Sequence, residues 1–281
     1  MEQDIKFHLK NALKEDIGNG DHTSKACIPE NNKGQVKLVA KENGIIAGIE
    51  VSKILFQILD NEPEVKFYKQ DGDVVYKGEK IFKLKGNLHT ILAVERLLLN
   101  IMQRMSGIAS LTKQYLDQIS DLEVKILDTR KTTPNFRIFQ KMAVKIGGGE
   151  NHRQGLYDMI MIKENHIDFS EGIKNALSRT NKYIKDNNLD IDIIIETRDI
   201  KEVKEVLDSG ENLKRILLDN FTPEETKNAV ELINHKYETE SSGGINLYTI
   251  RKYAETGVDY ISVGALTHSP KSLDLSLLAI N

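Results

Sequence analysis

The stretch that decides the fold is IDIIIETRDIKEVKEVLDSGENLKRILLDN, residues 191–220. IDIIIET reads as a strand, IKEVKEVLDSG as a helix and RILLDN as a second strand. Both strand runs are largely apolar, which suits burial on two faces of a parallel sheet. Strand, helix and strand in succession make a βαβ unit.

Outward from it, the same alternation runs from Leu111 to near the end of the chain. The other strand-like runs are VKILDT (124–129), LYDMIMIK (156–163), KYETESS (236–242) and VDYISVG (258–264). FRIFQKMAVKIG, EGIKNALSRTNKYIKDN, PEETKNAVELIN and NLYTIRKYAETG supply helices between most of them. An α/β barrel, complete or not, and a doubly wound sheet both accept this order. The strand ends favour the barrel. They carry Asp128-Thr129-Arg130-Lys131, Lys163-Glu164-Asn165-His166, Glu196, Asp219-Asn220, Ser241-Ser242-Gly243-Gly244 and Gly264-Ala265. A barrel gathers such ends at one mouth, where barrel enzymes place their chemistry, whereas an open sheet spreads them along an edge.

Towards the N-terminus the texture differs. Residues 1–18 form an amphipathic helix pattern that stops at Gly18. VKLVAKENGIIAGIEVSKILFQIL reads as a strand, a Glu-Asn-Gly turn, a second strand and a helix from Glu50. Short alternating strands follow, punctuated by Gly72, Gly78 and Gly86. Their Asp-Gly…Val…Gly pattern is shared with biotinyl and lipoyl carrier domains, but the displayed lysine of those carriers is missing, so the segment reads as scaffold. Residues 90–105 make a strong helix interrupted by Glu95-Arg96, which suits a surface ion pair or an interface. SGIAS, 106–110, marks the expected domain boundary.

Composition sets the limits. The chain has 281 residues, 40% hydrophobic and 29% charged, with a net charge of -3. That is ordinary for a globular protein and argues against a nucleic-acid binder with a basic surface. Cys27 is the single cysteine, so no internal disulfide forms. No apolar run approaches the roughly 18 residues of a membrane helix. The first residues lack the basic start and apolar centre of a signal peptide, and the expectation is a cytoplasmic protein without membrane or nucleic-acid partners.

One segment reverses the acidic sign. Residues 126–153, ILDTRKTTPNFRIFQKMAVKIGGGENHR, hold Arg130, Lys131, Arg137, Lys141, Lys145 and Arg153 against Asp128 and Glu150. A solvated helix face is the usual fate of such residues, and Lys141 and Lys145, mid-helix, read as helix surface or pocket rim. Arg130-Lys131 follow a strand and His152-Arg153 follow three glycines, so these read as a cage for a small polyanion. Arg grips carboxylate or phosphate with a planar fork and Lys adds a point charge. The mouth then divides into cations (Arg130, Lys131, His152, Arg153, Lys163), acids (Glu196, Asp219) and two glycine-rich endings, SSGGI and SVGAL. In barrels the last two loops commonly hold phosphate on backbone N–H groups. The acids suit Mg²⁺ on a phosphate-bearing ligand, or direct bonds to ribose hydroxyls. No zinc spacing or Ser-His-Asp elbow is present. A phosphorylated sugar with a small acid is a transferase description.

The motifs ERLLLN, SGIAS, DTRKTTPNFR, KMAVKIGGGENHRQGLYDMIMIKENH, LLDNF, SSGGI and TGVDYISVGALTHS resemble the quinolinate phosphoribosyltransferase family, from EDIGNGDHTS to the last residues. The resemblance implies an N-terminal α/β sandwich domain (1–108, joined by 269–281) and an incomplete α/β barrel of six to seven strands (109–268). The last helix is expected to return to the first domain. It implies phosphoribosyl transfer from phosphoribosyl pyrophosphate to quinolinate with decarboxylation, Mg²⁺, and a homodimer or larger assembly with a shared site. Quinolinate would be held by Arg130, His152, Arg153 and Lys163, with Arg96 from a partner subunit. The phosphoribosyl and metal side would be Lys131, Glu196, Asp219, Ser242, Gly243, Gly264 and His268, catalysis falling to Lys131, Lys163, Glu196 and Asp219, with Mg²⁺ on Glu196 and Asp219. Ile194 departs from the pattern by standing where the family commonly has a glutamate. Two rivals remain: a same-fold paralogue for another pyridine acid or linked to molybdenum uptake, and a non-catalytic nucleotide sensor.

Overall fold

The computed structural model describes residues 1–280. In chain order the elements begin with α1 (Glu2–Ile17), α2 (His22–Cys27), β1 (Lys33–Ala40), β2 (Gly44–Ile45), α3 (Ile49–Gln57), β3 (Glu64–Phe67), β4 (Val74–Val75), β5 (Lys80–Asn87) and α4 (Leu88–Asp117). Next come β6 (Lys125–Leu127), α5 (Arg137–Ile146), β7 (Ile160–Ile162), α6 (Glu164–Phe169), α7 (Ile173–Asp186), β8 (Ile193–Thr197) and α8 (Ile200–Ser209). The chain ends with β9 (Arg215–Asp219), α9 (Pro223–Ile233), β10 (Glu238–Ser242), α10 (Ile250–Ala254), β11 (Tyr260–Ser262), α11 (Ala265–His268) and β12 (Leu275–Ile280). No helix among the described residues is long and apolar enough to cross a membrane.

Two compact units form. The first contains Met1–Lys113, Thr132–Gly148 and the segment from Leu266 on; the second contains Gln114–Lys131 and Gly149–Ala265. Against the expected 1–108 and 109–268, the division falls after Lys113, and α5 groups with the first unit.

In the first unit, an antiparallel sheet runs in the order β12-β1-β5-β3. Phe56, Phe82, Leu38 and Leu84 are buried in its core. The expected strand, turn, second strand and helix form as β1, β2 and α3, with β1 paired to β5 and β12 and β2 to β4. SGIAS lies within the 30-residue helix α4 and is mostly buried. Its small residues serve close approach: Ser106 Oγ accepts from the Ala47 amide at 2.9 Å and Ser110 Oγ from Ile45 at 2.8 Å. At Gly107 a side chain would collide with the carbonyl oxygen of Lys271. The C-terminal segment returns as a strand rather than a helix, β12 running antiparallel along β1 from Gln35↔Ile280 to Ala40↔Leu275. Lys141 is also corrected: it is 2% exposed within α5, not on a rim, while Lys145 is exposed.

The second unit is a parallel sheet in the order β6-β11-β10-β9-β8-β7. Its end strands, β7 and β6, are not paired with each other, so the barrel is incomplete; a bridge from Leu127 to Glu150 extends the β6 edge by one residue. All the strands expected from the sequence form, a few residues shorter at their ends. Side chains alternate across a strand. Ile193, Ile195, Ile216 and Leu218 face one way and bury themselves against Val203 and Val206 of α8 and Ala229 and Ile233 of α9. The alternate positions, Glu196 on β8, Leu217 and Asp219 on β9 and Glu240 and Ser242 on β10, therefore share the opposite face. Parallel register sets them in rows, with Glu196 beside Leu217, Leu217 beside Glu240 and Asp219 beside Ser242.

Candidate active site

That opposite face opens into a cavity of about 410 Å³ made wholly by the second unit. Its lining includes Arg130, Lys131, His152, Arg153, Lys163, Glu196, Asp219 and Ser242, all expected from the sequence, together with Glu240 and Ser262. Met161 and Leu217 add an apolar patch.

The cation side is built on Asp128. This residue ends the β6 run and is fully buried. Its carboxylate accepts from the Asn151 side chain at 2.5 Å and from the His152 amide at 2.9 Å. Main-chain bonds between Asp128 and Glu150 (3.2 Å) and between Glu150 and Ile126 (2.8 Å) lay the 150–152 segment along the strand. Two of the three glycines before it are required by their surroundings. Gly148 has φ 95°, and a side chain on Gly147 would meet the Ala109 carbonyl at 2.5 Å.

Arg153 is 8% exposed and donates to the Met159 carbonyl at 3.3 Å. Burial, and then the like charge of Arg130, pull its guanidinium below the ordinary arginine value. Both push in the direction that favours an incoming anion. The His152 ring lies between two partners: Nδ1 accepts from the Arg153 amide at 2.7 Å, and Nε2 is 3.4 Å from Glu240 Oε2.

On the acid side, Lys163 Nζ donates to Glu196 Oε2 at 2.6 Å. Lys163 is placed by the start of α6, where its amide donates to His166 Nδ1 at 2.9 Å. Asp219 accepts from Asn220 Nδ2 at 2.8 Å, and the Asn220 amide donates to the Ser242 carbonyl at 2.8 Å, tying the ends of β9 and β10 together. Gly243 follows with φ 98°, packed so tightly on Asn220 that no side chain fits. Gly243 and Gly264 stand beside the cavity in the chain without lining it.

The two remaining expected residues, Arg96 and His268, lie in the first unit. Both are exposed; His268 Nδ1 pairs with Ser269 Oγ at 2.5 Å.

Below the cavity lies a buried ionic group that residue-by-residue reading overlooked. Arg215, 6% exposed, donates to Glu240 at 2.9 Å and to Glu238 at 2.9 and 3.1 Å, and stacks 3.6 Å over the Tyr260 ring. Burial pushes the Glu240 carboxyl up, but His152 and Arg215 outweigh it and leave it below the usual carboxylate range. The available signal was period two: Glu240 lies two residues before Ser242 and so on its face. Ile194, fully buried, pairs in register with Arg215. With an apolar neighbour on β8, Arg215 takes its carboxylates from β10.

Two family models match consecutive parts of the chain: the N-terminal domain of quinolinate phosphoribosyl transferase over residues 21–106 and its C-terminal domain over 108–278. The chain belongs to the quinolinate phosphoribosyl transferase family. A chloroplastic nicotinate-nucleotide pyrophosphorylase [carboxylating] of Arabidopsis thaliana is 48% identical over 98% of this chain and 82% of its own length. A probable nicotinate-nucleotide pyrophosphorylase [carboxylating] of Bacillus subtilis is 41% identical over 97% of this chain and 92% of its own. The crystal structure of NadC from Streptococcus pyogenes superposes with a TM-score of 0.92 at 35% identity, covering 100% of this chain and 99% of that one. For a quinolinate phosphoribosyl transferase the cavity has a definite electrostatic form. Four basic side chains, Arg130, Lys131, Arg153 and Lys163, meet Glu196 and Asp219, while Glu240 is paired with Arg215.

Proposed function

We propose that this cavity transfers phosphoribosyl from phosphoribosyl pyrophosphate to quinolinate, giving nicotinate mononucleotide, pyrophosphate and CO2, a step of de novo NAD synthesis. The observation that carries this reading is the meeting of Arg130, Arg153 and Lys163 with Glu196 and Asp219 in one cavity. The relatives' names, pyrophosphorylase and carboxylating, support it.

Arg130, Arg153 and Lys163 hold the two carboxylates of the diacid and aim its ring nitrogen at the ribose C1. His152 shapes the cage. Lys131 and the Ser242-Gly243 and Gly264 turns take the phosphates of the donor, and His268 belongs to that side. As the C1–O bond breaks, its electron pair leaves on pyrophosphate and C1 becomes oxocarbenium-like. Glu196 and Asp219 stabilise that charge, since preorganised groups aimed at developing charge are often the largest catalytic contribution. The pyridine nitrogen bonds to C1 and becomes cationic. The bond from ring C2 to its carboxylate then breaks, its pair stays on C2 beside the cationic nitrogen, CO2 departs and C2 takes a proton from water. The grip on this carboxylate has to loosen as it leaves, because only contacts stronger in the transition state accelerate the step.

Mg²⁺ belongs to this reading. No group of three or more His, Cys, Asp or Glu among the described residues makes a protein cage for a metal. Two carboxylates, Glu196 and Asp219, fit the way Mg²⁺ binds with substrate phosphates and water. When bound it supplies neutralisation of the diphosphate charge. The reading also includes a cytoplasmic homodimer in which the exposed Arg96 of one chain completes the site of the other.

The test is product analysis with phosphoribosyl pyrophosphate, Mg²⁺ and quinolinate labelled in the 2-carboxyl group. Nicotinate mononucleotide and labelled CO2 in equal amounts are expected. Turnover of nicotinate but not quinolinate sinks the assignment, and binding without product points to a sensor.

A further inference from the structure

The buried Glu240 has no task in the chemistry above, yet it is fully buried, lines the cavity and contacts His152. A backbone amide can only donate, so the 2.7 Å bond from the Arg153 amide makes His152 Nδ1 an acceptor, without a proton. In a neutral ring the proton then sits on Nε2, 3.4 Å from Glu240 Oε2. Glu240 is itself fixed by Arg215 at 2.9 Å, and Arg215 by Glu238 at 2.9 Å. A buried carboxylate aimed at one ring nitrogen favours the proton on that nitrogen, as outer partners of histidine do in many sites.

We propose that Glu240 is a positioning residue: by holding the Nε2–H form of His152 it keeps Nδ1 open to the Arg153 amide and so sets Arg153 for the diacid. The sequence of contacts runs from Arg215 at the start of β9, through Glu240 at the middle of β10, to the loop carrying His152 and Arg153. Without the carboxylate, the ring proton redistributes towards Nδ1. The Arg153 amide then faces an N–H in place of a lone pair, and the loop shifts. Glu196 and Asp219 do not depend on this chain of contacts, so the effect falls on the acid subsite. The kinetic part rests on the quinolinate reading; the protonation part does not.

The experiment is E240Q with two readouts. Nitrogen-15 spectra of histidine-labelled protein report which ring nitrogen of His152 carries the proton, in the absence of any substrate. The native protein is expected to show Nε2–H, and E240Q to show a substantial Nδ1–H population. Kinetics of E240Q are expected to show KM for quinolinate raised about tenfold, the worth of one lost charge-assisted bond, with KM for phosphoribosyl pyrophosphate unchanged. An E240Q spectrum matching the native one overturns the proposal. So does a uniform loss in both KM values and kcat. If E240Q fails to fold, the charge-balanced R215M/E240Q keeps the test: the same shift of the ring proton supports the proposal, and a native His152 spectrum overturns it. If the native enzyme ignores quinolinate while E240Q still shows the shift of the ring proton, the substrate reading alone is refuted.

Discussion

At the scale of single residues, buried carboxylates hold the cavity's cationic groups in place. Asp128 holds the Asn151 side chain and the His152 amide from a fully buried position. Asp128→Ala leaves those donors unsatisfied, and the expected loss is about 3 kcal/mol in denaturant midpoint analysis; a loss near zero contradicts the role. Lys163 bridges to Glu196, so Lys163→Gln removes a cation for the diacid and leaves Glu196 without its partner. A fall of roughly 10–100-fold in kcat/KM for quinolinate is expected, from a charge-assisted bond worth about 1.5–3 kcal/mol. Glu240 adds a pH signature. Its folded carboxyl lies below the ordinary 4.5. A depressed acid stabilises the fold above the unfolded value, and that contribution fades as pH drops through the folded one. E240Q should therefore show a flatter loss of stability below pH 4.5 than the native chain; equal acid slopes contradict this.

At the scale of elements, α4 and β12 act together. The 30-residue helix is smooth at Gly107, where the backbone of Lys271 and Ser272 lies against it. Gly107→Ala puts a methyl group onto the Lys271 carbonyl. Packing too much into such a contact costs about 1–3 kcal/mol, and a fall in Tm of about 2–12 °C is expected for a unit of this size. An unchanged Tm contradicts the close packing. The small residues of SGIAS also serve close approaches, which only partner segments far away in sequence reveal. Periodicity served better in β7 to β11, where each strand and its helix are local in sequence. The β1 pairing was hidden because its partners, β5 and β12, are remote.

At the scale of the whole molecule, one chain presents nearly the full cation and acid set in its second unit. Arg96 belongs to the first unit and is exposed on α4. If the partner's copy completes the site, mixing inactive Arg96→Ala with inactive Arg130→Ala protein restores activity through hybrid dimers. Random pairing makes half of the dimers hybrids with one intact site of two, so recovery approaches about a quarter of native activity, by the additive arithmetic of independent sites. No recovery with verified subunit exchange counts against sharing.

The sequence by itself determined the parallel sheet, the ligand-bearing strand ends and the family, because apolar period and motif spacing are local properties of the chain. The residues Arg130, His152, Arg153, Lys163, Glu196 and Asp219 were legible for the same reason. Tertiary structure alone decided that α4 runs unbroken through SGIAS, that the C-terminus returns as a strand, and that Lys141 is buried. It alone placed Asp128, Glu240 and Arg215 beneath the cage. Whether a charge ends on the surface or in an ion pair depends on which distant strand lies next to it, and register between β8, β9 and β10 settles that.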